Sequence, residues 1–141
     1  MKKIFFTFIC ILLFNGCISK EAGNLESPIE IPSKPVIDFL GTSGEVFKSQ
    51  QQMNITVAVN SEEPIENAYV KVYGINSNRN RLNELHNMNL SKGLQFISIV
   101  YTTPSCFGCA GITPGPYNIT AELIIADELV DSKTVEIEIR Q

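Results

Sequence analysis

Hydrophobic and polar residues alternate along most of the chain after residue 35. In residues 54–60 every second position is Ile or Val (Ile55, Val57, Val59), and the positions between them are Asn, Thr or Ala. The same period of two recurs in residues 67–73, 117–125 and 134–140. Such alternation is typical of antiparallel strands with one face on a core. Further strands are predicted at 36–40 and at 94–103, the latter from a longer apolar run that indicates burial on both faces.

Residues 76–90 are less regular. Asn76, Asn78, Asn80 and Asn83 favour turns. The leucines that follow fit either a short strand or one helical turn, and we predict a short strand at 84–90. His86 lies in this segment, and we expect it to be a surface residue, not a ligand.

The first seventeen residues have the pattern of an export signal. Lys2 and Lys3 precede an apolar run at residues 4–14, which is too short for a helix that spans a bilayer but fits the hydrophobic region of a signal peptide. Gly16 and Cys17 then resemble the cleavage box of lipoproteins, although Phe14 stands where Leu is usual. We predict that residues 1–16 are removed and that Cys17 is lipidated. An ordinary secretory signal and an uncleaved anchor are the alternatives.

Residues 17–35 read as a tether. Pro28, Pro32 and Pro35 remove backbone donors and favour an extended chain. An edge strand near residues 29–31 is the alternative. Two acyl chains on Cys17 would hold the protein stably on a membrane. The predicted location is therefore the extracytoplasmic face of the cell membrane.

Residues 36–141 are predicted to form an all-β domain, a single antiparallel β-sandwich of about seven strands. Within it, the segment from Pro114 through Gly115 and Pro116 to Tyr117 resembles the turn that opens the sixth strand of immunoglobulin-like and fibronectin type III-like domains in bacterial or archaeal surface proteins. The resemblance implies that the Tyr117 hydroxyl bonds back to nearby backbone as a tyrosine corner. It also implies that Ile119 takes the core position that a disulfide cysteine fills in antibody domains.

Cys106 and Cys109 form the one local cysteine pair. In an oxidising compartment we predict a disulfide that staples the loop between the fifth and sixth strands. A redox site would need a helix after the pair, and the Gly- and Pro-rich segment 111–116 prevents one. A zinc site would need two more ligands, which a second chain could supply. Haem attachment would need His in place of Ala110.

Other candidate residues carry weaker signals. Asn54, Asn89 and Asn118 match the N-glycosylation pattern, at about the frequency expected by chance. Three carboxylates in residues 126–131 are more typical of a solvated turn than of a calcium site. Tyr69 and Tyr73 suit contact with a protein or a glycan, but cross-strand packing is the explanation we favour.

Composition narrows the function classes. The chain has 11 Lys and Arg, 15 Asp and Glu, one His and no Trp. The acidic balance argues against nucleic-acid binding, and no nucleophile–base pair, phosphate loop, metal cluster or cofactor motif is present in the sequence. We therefore predict a non-enzymatic, lipid-anchored surface module that binds another envelope component, a protein or a glycan. The alternative is a thiol-redox or metal-binding lipoprotein acting through Cys106 and Cys109. The sequence leaves the oligomeric state open.

Overall fold

A computed structural model of the protein describes residues 34–76, 80–106 and 111–141. This part of the chain forms eight strands and no helix. The strands are β1 (Val36–Thr42), β2 (Val46–Lys48), β3 (Gln52–Ser61), β4 (Ile65–Asn76), β5 (Asn80–Leu90), β6 (Gly93–Thr102), β7 (Gly115–Ile125) and β8 (Glu128–Arg140). No helix long and apolar enough to cross a membrane lies within these described ranges.

The strands form two sheets that pack face to face. Sheet A has the order β1-β3-β6, and sheet B has the order β2-β8-β7-β4-β5. All pairings are antiparallel except that of β2 with β8. The predicted all-β sandwich is confirmed, with one parallel pair added.

The core lies between the sheets and follows the predicted alternation. Strand β3 contributes Ile55, Val57 and Val59 from one face, and all three are fully buried. Sheet B supplies the opposing layer, in which the largest fully buried side chains are Ile75, Leu82, Ile119, Leu123, Ile137 and Ile139. Burial of this apolar surface is the main force that holds the two layers together.

Strand β2 was absent from the predicted set. It is three residues long, and only Phe47 of its side chains is buried. A segment that short shows no period, so its pairing depends on the neighbouring β8, with Phe47 opposite Ile139.

Two other segments extend beyond their predicted bounds. Strand β5 begins at Asn80, so Asn80 and Asn83 lie in a strand and the prediction of turns there is wrong. Strand β8 begins at Glu128, because the hairpin needs only Ala126 and Asp127, both with positive φ (51° and 63°). Two consecutive residues of this conformation match the twist of the flanking strands.

The prediction that residues 94–103 are buried on both faces is wrong. Strand β6 is an edge strand, and its outward side chains Leu94, Phe96 and Val100 are exposed. Only Ile99 on the inward face is fully covered, with Ile97 and Tyr101 packed against the core. The run is apolar on both faces, but no layer covers the outer one in the part of the chain that the structure describes.

Side chains of β8 cover the free edge of β1. The backbone N–H of Ile37 donates to Asp131 Oδ2 at 2.7 Å. Lys133 Nζ donates to the backbone carbonyl of Asp38 at 2.7 Å. Two backbone groups at this edge of sheet A are therefore paired with side chains from sheet B.

Candidate functional site

The outer face of sheet A presents two aromatic rings on either side of an alanine. Ala58 of β3 lies opposite Phe39 of β1 on one side and opposite Phe96 of β6 on the other. Phe39 is 51% exposed and Phe96 is 66% exposed, whereas Ala58 between them is only 2% exposed. The small side chain is covered because its two large neighbours flank it.

The aliphatic residues around this row extend it. Val36 and Leu94 occupy the next row, on either side of Asn60. We call the set of residues Val36, Phe39, Ala58, Leu94, Phe96 and Val100 the apolar face. Exposed apolar side chains that are contiguous mark interaction surfaces more often than scattered ones do.

Charge is segregated between the sheets. Asp38 is the one charged residue in the three strands of sheet A, whereas the five strands of sheet B carry twelve. The exposed apolar side chains of this surface desolvate at low cost, whereas the exposed Asn54, Asn60 and Ser98 lose hydrogen bonds to water when covered. The surface suits an uncharged partner surface that is largely apolar.

The outer face of sheet B is polar and internally bonded. The Tyr73 hydroxyl donates to Glu122 Oε1 at 2.8 Å, and Lys71 Nζ lies 5.0 Å from the centre of the Tyr73 ring. The hydrogen bond to the Glu122 carboxylate raises the pKa of Tyr73 above its ordinary value. These contacts are cross-strand packing, so Tyr73 is engaged within its own sheet.

Tyr69 lies in a different setting on the same face. A shallow cleft of about 270 Å³ is lined by Asn67, Tyr69, Asn87, Met88 and Asn89. It opens where β4 carries a bulge between Ile65 and Ala68. Bulges of this type bend a strand and disrupt the local pairing.

Tyr117 makes the backbone contact that the resemblance implies. Its hydroxyl donates to the carbonyl of Thr113, four residues upstream, at 2.5 Å. Burial raises the pKa of the Tyr117 hydroxyl, and nearby Cys106 adds to the rise. Ile119, two residues further along β7, is fully buried in the core as expected.

The start of the cysteine loop is bonded to the turn after β2. Buried Thr103 donates from Oγ1 to the carbonyl of Lys48 at 2.6 Å and accepts from the backbone N–H of Gln51 at 2.9 Å. The backbone N–H of Cys106 donates to Ser49 Oγ at 3.0 Å. Cys106 carries no disulfide in the structure, and Cys109 lies outside the described residues. The disulfide therefore stays a prediction.

The remaining candidate residues are dispersed. Asn54, Asn89 and Asn118 are all exposed, on β3, β5 and β7. Asp131 is hydrogen-bonded to β1, and no group of three or more His, Cys, Asp or Glu side chains fit to hold a metal occurs in residues 34–76, 80–106 and 111–141. His86 is half-buried, and its Nε2 atom is buried without a hydrogen-bond partner in the same ranges, unlike the surface residue expected.

The predicted signal peptide (1–16), lipidation site (Cys17) and most of the tether (17–35) lie outside the described residues. They remain predictions.

Sequence reasoning missed the apolar face. The signal was present in residues 94–100, where Leu94, Phe96 and Val100 occupy alternate positions opposite the core-facing Ile97 and Ile99. A strand with apolar side chains on both faces predicts a covering layer on each face. Among the described residues, only the inward face of β6 has such a layer.

Known proteins resemble this chain in structure but not in sequence. No family model matches it, and no curated protein matches it. The C-terminal domain of wzt superposes with a TM-score of 0.57 at 7% identity, covering 78% of this chain and 76% of that one. The CARDB domain of a Pyrococcus furiosus protein gives 0.51 at 14% identity, covering 77% and 93%.

A third similar structure is a much longer protein. The Pseudomonas fluorescens alkylpurine DNA glycosylase AlkC gives a TM-score of 0.56 at 15% identity, with 77% of this chain but only 31% of that chain covered. This protein therefore spans about a third of the length of that enzyme. At such identities the likeness concerns the fold alone. It shows that the part of this chain that the comparisons cover has an immunoglobulin-like β-sandwich fold.

Proposed function

We propose that this protein is a non-enzymatic binding module, lipid-anchored on the extracytoplasmic face of the cell membrane, whose apolar face binds another envelope protein. The observation that carries the binding role is the row Phe39–Ala58–Phe96 on a sheet with a single charged strand residue. The anchoring rests on the sequence of residues 1–17.

The chemistry of the face indicates the class of partner. Aromatic residues are enriched at the buried centres of protein interfaces, where charged residues are depleted. Both features hold for sheet A, whereas the polar outer face of sheet B has its Tyr73–Glu122 pair bonded internally. The partner surface is therefore expected to be largely apolar and uncharged.

The binding role is tested by capture from detergent-solubilised membranes with two variants compared. Phe96→Ser removes an exposed ring from the apolar face, and Leu129→Ser removes a similarly exposed side chain (60%) from β8. We expect capture of one protein to fall in Phe96→Ser and to persist in Leu129→Ser. Equal capture by both variants, or capture of a polysaccharide instead of a protein, would contradict the proposal.

The anchoring is tested separately by intact mass spectrometry of the native protein and by protease treatment of whole cells. A mature chain that begins at a diacylated Cys17 and is cut from outside the cell is expected. A chain that retains Met1 and carries no acyl group would disprove the lipid anchor but leave the binding role to be judged on the capture experiment.

A further inference from the structure

The four edges of the two sheets differ in their protection against strand pairing. The edge of β1 is covered by Asp131 and Lys133, and β2 is only three residues long. Strand β5 carries Arg81 and Glu84. Short edges, covered edges and charged edge residues are the means by which proteins prevent unwanted strand addition.

Strand β6 has none of these protections. It is ten residues long, from Gly93 to Thr102, and contains no charged residue and no proline. It pairs with β3 on one side, and no strand pairs with its other side among the described residues. An edge strand of this length and composition exposes backbone donors and acceptors that are ready to pair.

We propose that two copies of this chain associate through antiparallel pairing of their β6 strands, which joins the two three-stranded sheets into one of six strands. The inference does not rest on the envelope partner, because it is argued from the unpaired backbone edge of β6, although the side chains that pair across the axis belong to the apolar face.

Symmetry favours self-pairing over another occupant, and charge does not oppose it at this edge. The whole chain has a formal net charge of -4, so two copies repel wherever their charged surfaces meet. Pairing at β6 brings no charged strand residue together, since Asp38 lies on β1 at the far edge of sheet A. Antiparallel pairing about a two-fold axis is also self-complementary, as an isologous interface requires.

The alternation of the strand restricts the register. In an antiparallel pair, residues directly opposite each other lie on the same face of the sheet. The two-fold axis must therefore place one residue opposite its own copy. An axis midway between two consecutive residues would place an outward side chain opposite an inward one. An axis at Ser98 places Phe96 opposite Val100 of the second copy, and this pairing occurs twice. Aromatic and β-branched residues form favourable cross-strand pairs. The apolar faces of the two copies then become continuous.

The test compares charged variants of the full-length protein in detergent, by analytical ultracentrifugation over a range of protein concentrations. Wild-type protein is expected to form dimers. Ser98→Lys and Ser98→Glu each place like charges opposite one another, and we expect the dimer dissociation constant to rise about tenfold in either. Asn87→Lys on the edge strand β5 is the matched control and is expected to dimerise like wild type.

Mixing the two Ser98 variants provides the decisive measurement. Opposite charges then face each other at the axis, so dimers between Ser98→Lys and Ser98→Glu chains are expected to recover. Should either variant fail to fold, judged by circular dichroism, Phe96→Lys and Val100→Glu replace the pair, because residue 96 of one copy faces residue 100 of the other and both side chains are exposed (66% and 61%). The proposal is overturned by a monomeric wild type, by unchanged dimerisation of the charged variants, or by loss of dimers in Asn87→Lys.

Discussion

The ring of Phe39 lies over the backbone of Gly41, two residues further along β1. A β-carbon built at Gly41 would be 2.4 Å from Cζ of Phe39. Glycine at this position therefore lets the ring lie along the outer face of sheet A, where it forms one end of the row with Ala58 and Phe96. The orientation of an exposed aromatic residue in the apolar face thus depends on the absence of a neighbouring side chain.

Gly41→Ala is expected to displace the Phe39 ring with little loss of stability. The clash involves the far end of an exposed side chain, which can swing away, so we expect the free energy of unfolding to change by less than about 1 kcal/mol. Nuclear Overhauser contacts between the Phe39 ring and residue 41, together with urea unfolding, measure the two effects. In a Phe39→Ala background the part of the effect that comes from the clash should vanish, because the two side chains no longer meet, and only the smaller effect of alanine on the unfolded chain should remain.

Gly74→Ala is expected to destabilise the fold strongly. Gly74 has φ of 153°, and a β-carbon there would lie 2.2 Å from the backbone carbonyl oxygen of Asn118 on β7. Neither backbone can move without disturbing the β4–β7 pairing, so a loss of at least about 2 kcal/mol is expected. Urea unfolding measures it, and Gly44→Ala is the control because its nearest neighbour would be at 3.6 Å. Equal midpoints for the two variants would show that the close approach at Gly74 is unimportant.

Tyr117→Phe is expected to lower the free energy of unfolding by about 1 kcal/mol. The variant keeps the ring and loses the hydroxyl that donates to the Thr113 carbonyl, and a hydrogen bond of this kind has a net contribution of about 0.5–1.5 kcal/mol. Urea unfolding is compared with that of Tyr69→Phe, which removes a hydroxyl elsewhere on sheet B. A cost no larger than that of the control would argue against a tyrosine corner.

The Tyr73 hydroxyl is expected to titrate above its ordinary pKa of 10.0, because its proton is held by the Glu122 carboxylate. Since the folded-state pKa is the higher one, the contribution of this bond to stability is present below the unfolded-state pKa and is lost as pH rises through the folded-state value. Nuclear magnetic resonance titration of the tyrosine ring carbons measures the shift. Glu122→Gln should lower the pKa of Tyr73, while Glu62→Gln, which removes a distant turn carboxylate, should leave it unchanged.

We expect Cys106 and Cys109 to be unreactive in a thiol titration until a reductant is added. The titration is made on protein isolated from its own cells and denatured without reductant. The physical reason is that an extracytoplasmic location preserves disulfides. Two thiols that react without reductant would instead support the thiol-active or metal-binding alternative. Cys106→Ser is the control: without its partner, Cys109 should react as a free thiol before any reductant is added.

Much of the fold follows from the order of residues alone. The alternation of Ile55, Val57 and Val59, repeated in the later strands, determined that the chain forms strands with one buried face. The turn before Tyr117 indicated the immunoglobulin-like arrangement and its backbone hydrogen bond. These features are local, because a side-chain period and a turn depend on residues that are close together in sequence.

Only the tertiary structure decided which apolar faces are covered. The side chains of β6 are apolar on both faces, and the sequence could not show that just one of them meets a second sheet. Protection of the β1 edge by Asp131, 94 residues away, and the parallel pairing of β2 with β8 are likewise products of packing. The physical reason is that periodicity reports the direction in which a side chain points, whereas its burial depends on which distant segment packs against it.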